Sequence, residues 1–175
     1  MDEFDKCIDI ALNGTEAREA VDVLCRQVSD WGLAIPPVEP LVLDFGLGRF
    51  HEVGEVECWI ANEAEEGYCG KFLFVVDGQT CPMHHHRRKH ETFYVVKGRV
   101  RMQFEGREID MAEGDVLPVP PGKRHAFTGI GPALLLEVST PCLIDDNYFD
   151  NPDIPIGKAA GGKGVCRRGQ AQGKP

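Results

Sequence analysis

From residue 41 onward, apolar and polar positions alternate in short runs with a period of two. In RVRMQF, Val100, Met102 and Phe104 fall on one side and Arg99, Arg101 and Gln103 on the other. That is the pattern of an antiparallel strand with one buried face. Strands are predicted over 41–44, 55–61, 71–76, 79–84, 92–96, 99–104, 107–111, 115–119, 124–128 and 133–139. The pairs Asp77-Gly78, Lys97-Gly98, Glu105-Gly106 and Glu113-Gly114, and the segment from Gly129 to Pro132, divide them as turns.

Before residue 41 the period lengthens. In TEAREAVDVLCRQVSDW, Ala17, Val21, Leu24, Val28 and Trp31 recur at steps of three and four. This predicts one apolar helical face over 15–31, with Thr15 capping its start and Gly32 ending it. Residues 3–12 are expected to form a shorter helix. The three prolines of IPPVEP then break regular structure. The expected fold is mainly all-β, a sandwich or barrel with the N-terminal helices packed outside. The expected organisation is a helical segment at 1–40, one barrel domain at 41–150 and a C-terminal extension at 151–175.

Composition narrows the partners. The chain has 175 residues and a net charge of −9, which argues against nucleic acid and anionic membranes. The Gly-rich end GKAAGGKGVCRRGQAQGKP carries five basic residues and no acidic one, and is read as a solvated, disordered tail. No run of about 18 apolar residues predicts a membrane helix. The acidic start MDEFDKCIDI lacks the plan of a signal peptide, so the expected location is the cytoplasm. Seven cysteines, an odd number with no CxxC pair, are expected as free thiols. Cys81 is read as a small buried hydrophobe.

Four of the six histidines lie between Gly78 and Gly98, in GQTCPMHHHRRKHETFYVVKG. On a strand, His84 and His86 point to one side and His85 to the other. Glu91 opens the next predicted strand, and a tight return brings its carboxylate beside the two imidazoles. His125, after the turn PPGKRH, offers a third imidazole from a neighbouring strand. Three neutral nitrogens and one carboxylate oxygen suit a divalent Mn²⁺, Fe²⁺, Co²⁺, Ni²⁺ or Zn²⁺ ion, with positions left open for a substrate. Glu137 sits within the apolar run LLLEVST, where a charge is costly unless it faces a polar site. It is a candidate general base, the alternative being a surface-facing side chain. Lys71 and Lys89 are candidates for holding an oxyanion or hydroxyl, or else solvated. Arg87 and Arg88 are read as a solvated basic patch.

The glycines and prolines extend the pattern. The stretch G-x5-H-x-H-x4-E-x6-G runs from Gly78 to Gly98, and G-x5-P-x-G-x2-H from Gly114 to His125. Both resemble the signature motifs of the cupin family, small double-stranded β-helix or jelly-roll barrels. One position departs, Gly129 standing where Asn often follows the second motif. His85 and His90 then fall outside the metal ligands. A wider resemblance spans about residues 31–151. The pieces WGLAIPP, DFGLGRFHEVG, Lys71, GQTCPMHHH, Lys89 with Glu91, and LEVSTPCLIDDNYF look like the D-lyxose isomerase family of cupin sugar isomerases.

That resemblance implies an aldose–ketose isomerase acting on D-lyxose and D-xylulose, or D-mannose and D-fructose. It implies Mn²⁺ held by His84, His86, Glu91 and His125. The expected reaction runs through a cis-enediol, with Glu137 as base and Lys89 and Lys71 stabilising charge or holding hydroxyls. Family analogy further implies a homodimer. Two other readings remain at this point: an iron-dependent cupin dioxygenase, and a non-catalytic module binding a sugar or sugar acid.

Overall fold

The computed structural model describes residue 3 and residues 10–155. The first helix among the described residues is α1 (Gly14–Asp30). Eleven strands follow: β1 (Leu41–Leu43), β2 (Glu55–Glu63), β3 (Tyr68–Val75), β4 (Thr80–His86), β5 (Glu91–Lys97), β6 (Arg99–Phe104), β7 (Arg107–Ala112), β8 (Val116–Val119), β9 (His125–Gly129), β10 (Ala133–Ser139) and β11 (Asn147–Phe149). A 3₁₀ turn at Ile144–Asp146 precedes the last. The strands form two antiparallel sheets, ordered β1-β2-β3-β10-β5-β8 and β11-β4-β9-β6-β7. This is the expected double-stranded barrel, with the ten predicted strands present and β11 added.

The two sheets enclose a core built from alternate residues. Val100 and Met102 are fully buried on β6, while Arg99 and Arg101 face out. Helix α1 lies outside, as expected. Ala20, Leu24 and Val28 pack with Val42, Val56, Cys58, Phe74 and Leu134 on the outer face of the larger sheet. Burying a leucine such as Leu24 contributes about 1.5–3 kcal/mol.

The helix ends differ in how well local chemistry anticipated them. Gly32 (φ +65°) follows the C-cap Trp31, with its N–H donating to Ser29 O and the Leu33 N–H donating to Val28 O. These two bonds make a Schellman motif and end the helix where glycine predicts. Thr15, by contrast, is not the cap. Asn13 occupies that position without a capping side-chain bond, and the Thr15 hydroxyl accepts from Arg18 Nη2. The short helix expected over 3–12 lies mostly outside the described residues. Its last part instead pairs with β1, through an Ala11–Leu43 bridge and a Leu12 N–H bond to Val42 O. The expected tail lies outside the described residues from 156 onward.

Two glycines fix how closely the sheets approach. Gly98 has φ +78°, and a Cβ there would collide with Pro132 O and stand 2.9 Å from Ala133 Cα. A Cβ on Gly129 would collide with Val76 O. The close approach excludes the Asn that often stands at this position in the second motif. Among the described residues, no helix is long and apolar enough to cross a membrane.

Candidate metal centre and active site

Strand pairing assembles the four motif residues. His84 lies opposite His125 where β4 pairs with β9, and His86 follows two positions on, on the same inward side. Glu91 begins β5 on the facing sheet, opposite Ser139 of β10. All four side chains are buried, and one potential donor atom from each falls within 4.8 Å of the others.

The imidazoles are oriented by main-chain carbonyls. His84 Nδ1 lies 2.8 Å from Pro82 O, His86 Nδ1 3.1 Å from Asp146 O and His125 Nδ1 3.1 Å from Lys123 O. A carbonyl only accepts, so each Nδ1 is placed to donate, and a neutral imidazole so held turns its Nε2 lone pair toward the cluster. Burial, and then the neighbouring His125 and His86, push His84 well below the ordinary histidine range and keep it neutral. His86 Nε2, His125 Nε2 and Glu91 Oε1 make no well-formed hydrogen bond, while Glu91 Oε2 is ion-paired with Lys89 Nζ. His125 Nε2 nevertheless stands 2.8 Å and His86 Nε2 3.4 Å from Glu91 Oε1. Neighbouring ligands on an ion with bonds of about 2.1 Å stand about 3 Å apart. Buried, unsatisfied lone pairs at that spacing fit a divalent ion, which would satisfy all of them.

Beside the donors runs a chain of buried charges. Lys89 Nζ lies 2.7 Å from Glu91 Oε2 and 2.5 Å from Glu137 Oε1. Lys71 Nζ lies 3.5 Å from Glu137 Oε2 and 2.6 Å from Glu57 Oε1. Glu57 Oε2 accepts from Trp59 Nε1 at 2.6 Å. Glu137 is 2 % exposed, so it faces the interior rather than solvent. Burial alone would raise its carboxyl, but the Lys71 and Lys89 ammoniums outweigh that and hold it low and ionised. Burial acts against the charge on Lys71 too, and Glu137 and Glu57 keep it protonated.

Sheet register explains why these groups meet. Trp59, Lys71, Glu137 and Phe93 form one inward row across β2, β3, β10 and β5. Glu91 and Ser139 stand in the adjacent row. The base candidate and the metal-facing carboxylate are therefore two residues apart in register. Glu137 lines a cavity of ≈ 50 Å³ with His84, His86, Lys89 and an apolar wall that includes Phe45, Phe93 and Phe149.

Asp146 supports the site from behind. Its Oδ2 accepts from the Arg88 and Lys89 amides, both at 3.0 Å, and its Oδ1 from the Arg87 amide at 3.2 Å. These bonds shape the return between His86 and Glu91. Burial would raise the Asp146 carboxyl, yet the three amides hold it below the ordinary aspartate range.

All seven sequence-predicted site residues come together here: His84, His86, Glu91, His125, Glu137, Lys89 and Lys71. His85 stacks on Tyr148 and His90 is exposed, so neither joins the donors. Arg87 covers the Tyr148 ring and the Arg88 side chain is 63% exposed beside Asp146. Cys81 is buried, as expected. Sequence reasoning passed over Glu55, Glu57 and Trp59. The signal that singled out Glu137, a carboxylate in an alternating apolar strand, was present there as well, in EVECWIAN. Asp146 had no local signal, because its partners lie 57 to 59 positions away.

Comparison with known proteins agrees with this geometry. A family model described as the cupin domain matches residues 71–139, and one described as D-lyxose isomerase matches residues 41–98. The D-lyxose ketol-isomerase of Cohnella laeviribosi is 30% identical over 176 residues, covering 82% of this chain and 94% of that protein. The D-lyxose/D-mannose isomerase of Thermosediminibacter oceani is 26% identical over 174 residues, covering 82% and 95%. The crystal structure of Cellulomonas parahominis L-ribose isomerase with L-ribose superposes with a TM-score of 0.67 at 18% identity, covering 83% of this chain and 96% of that one, a likeness of fold. With a relative this similar along nearly its whole length, and the barrel and its four-donor cluster in place, the chain belongs to the D-lyxose isomerase family of cupins.

Proposed function

We propose that this protein is a metal-dependent aldose–ketose isomerase that interconverts D-lyxose with D-xylulose, and D-mannose with D-fructose. The observation that carries the reading is Glu137, an ionised carboxylate buried in the cavity of the three-histidine, one-glutamate cluster and tied to it through Lys89. Mn²⁺ is the proposed ion, with Fe²⁺, Co²⁺, Ni²⁺ and Zn²⁺ suiting the same donors. Bound there, it would supply Lewis-acid polarisation of a sugar carbonyl and acidify the neighbouring C–H.

The remaining chemistry belongs to the chain. Glu137 takes the proton from C2 of the open-chain aldose and returns it to C1, so the sugar passes through an enediol. Lys89 keeps Glu137 ionised and donates toward the oxygen that gains charge. Lys71 holds the other Glu137 oxygen and fixes the rotamer of the base. The apolar wall of Phe45, Phe93 and Phe149 limits water near the enediol. Both lysines lining the cavity are paired with carboxylates, so their charge is already balanced, which favours an unphosphorylated sugar.

The test is a proton NMR time course in D₂O with Mn²⁺-loaded protein and D-lyxose, D-mannose or D-fructose. Ketose formed from lyxose, with deuterium at C1 and none formed by His84→Ala, supports the reading. No conversion of any of the three sugars would remove it.

A further inference from the structure

Glu55 is a buried acid that the proposed chemistry does not use. It is 4 % exposed and lines the same cavity; Glu57 and the Cys81 thiol stand against it, but its Oε2 makes no well-formed hydrogen bond. A buried polar atom without a partner costs about 1–3 kcal/mol. A leucine would fill this part of the barrel without that cost, so packing gives no reason for the carboxyl. Burial, and then the charge of Glu57, push the Glu55 carboxyl well above the ordinary range. Both effects favour its neutral form, a group that both donates and accepts, as a sugar hydroxyl does.

Its position is set by register. Glu55, Glu57 and Trp59 alternate along β2 on the inward side. Trp59 shares the row of Lys71 and Glu137, and Glu55 lies four residues further, about 13 Å along the strand. On the opposite sheet its electrostatic neighbour is Cys81, three residues before His84. Glu55 thus stands at the end of the cavity remote from the four donors. A sugar of five or six carbons with its carbonyl end at those donors extends its other end that way.

We infer that Glu55 is a specificity-determining residue, its carboxyl hydrogen-bonding a hydroxyl at the non-carbonyl end of an uncharged open-chain sugar. The inference rests on the isomerase reading only for the identity of that sugar. The unpartnered oxygen is then the binding feature, and its cost in the free protein is offset when a polyol hydroxyl arrives.

The experiment is calorimetric titration of the Mn²⁺-loaded full chain with D-arabinitol and D-mannitol, the reduced forms of D-lyxose and D-mannose. Neither alditol can be isomerised, so binding is read apart from turnover. Wild type and Glu55→Gln are expected to bind within threefold of each other. Glu55→Leu is expected to bind at least tenfold more weakly, with unchanged manganese content and a melting temperature equal to or above wild type. A purely structural role would instead lower the melting temperature and leave affinity alone. Equal affinity in Glu55→Leu, loss of its fold, or no alditol binding by wild type would each overturn the inference. If wild type binds alditols but does not turn over D-lyxose, the isomerase reading fails and the Glu55 comparison still decides.

Discussion

Lys89 Nζ lies 2.5 Å from Glu137 Oε1, and the same ammonium touches Glu91 of the three-histidine, one-glutamate cluster at 2.7 Å. One cation therefore ties the acid–base candidate to the candidate donor cluster. All three side chains are buried, so none of the charges can be left to solvent. Lys89→Met strands two carboxylates and is expected to cost about 3–5 kcal/mol of stability. Denaturant melts of the two proteins measure it, and a change below about 1 kcal/mol would mean the pairs are not coupled as described.

His125 is fully buried, with its Nε2 2.8 Å from Glu91 Oε1 and its ring against the His84 imidazole. His125→Ala is expected to lower bound manganese well below one ion per chain, measured by elemental analysis after gel filtration. For wild type, Mn²⁺ at a hundredfold excess over its Kd should add about 2.7 kcal/mol of stability to chelator-treated protein. The variant should lose most of that increment.

The Asp146 carboxyl is held low by the amides of residues 87–89, against the opposing effect of burial. A group depressed in the fold stabilises above its unfolded value and loses that contribution as pH falls through the lower folded value. Asp146→Asn is therefore expected to cost about 2 kcal/mol at neutral pH. The gap to wild type should close as the pH falls below 3.8, the ordinary value for aspartate. Melts of chelator-treated protein across that range test the sign. A gap that is constant down to the lowest pH would contradict the assignment.

Gly98 and Gly106 both have positive φ, at +78° and +76°. A Cβ on Gly106 would meet nothing within 4 Å, whereas on Gly98 it would strike Pro132 and Ala133. Gly106→Ala is expected to cost about 1 kcal/mol, the conformational penalty alone. Gly98→Ala should cost about 3 kcal/mol or more, because backbone must shift. Comparing the two melts isolates the steric part.

The sequence determined the strands, the helix over most of its length, and the candidate donor cluster, because each rests on short-range periodicity. Alternation put His84 and His86 on one side, and the motif spacing matched the register that brings Glu91 and His125 to them. The Schellman end at Gly32 was equally local. The start of α1 was not, since Asn13 and Thr15 are both good caps and nothing nearby ranks them. Residues 10–12 pair with β1 instead of coiling, because an open sheet edge supplied partners that no local pattern announces. The orientation of Glu137 was open in the sequence, where an inward and a surface-facing reading fitted the same alternation. Tertiary structure decided it by covering the other face of that sheet with α1 at Leu134 and placing Lys71 and Lys89 on the inner one. It also decided that Glu55 and Glu57 join the cavity and that Asp146 shapes the loop between the ligands. Those relationships depend on pairings across tens of residues, and a charged side chain shows its worth only when its distant partner is in view.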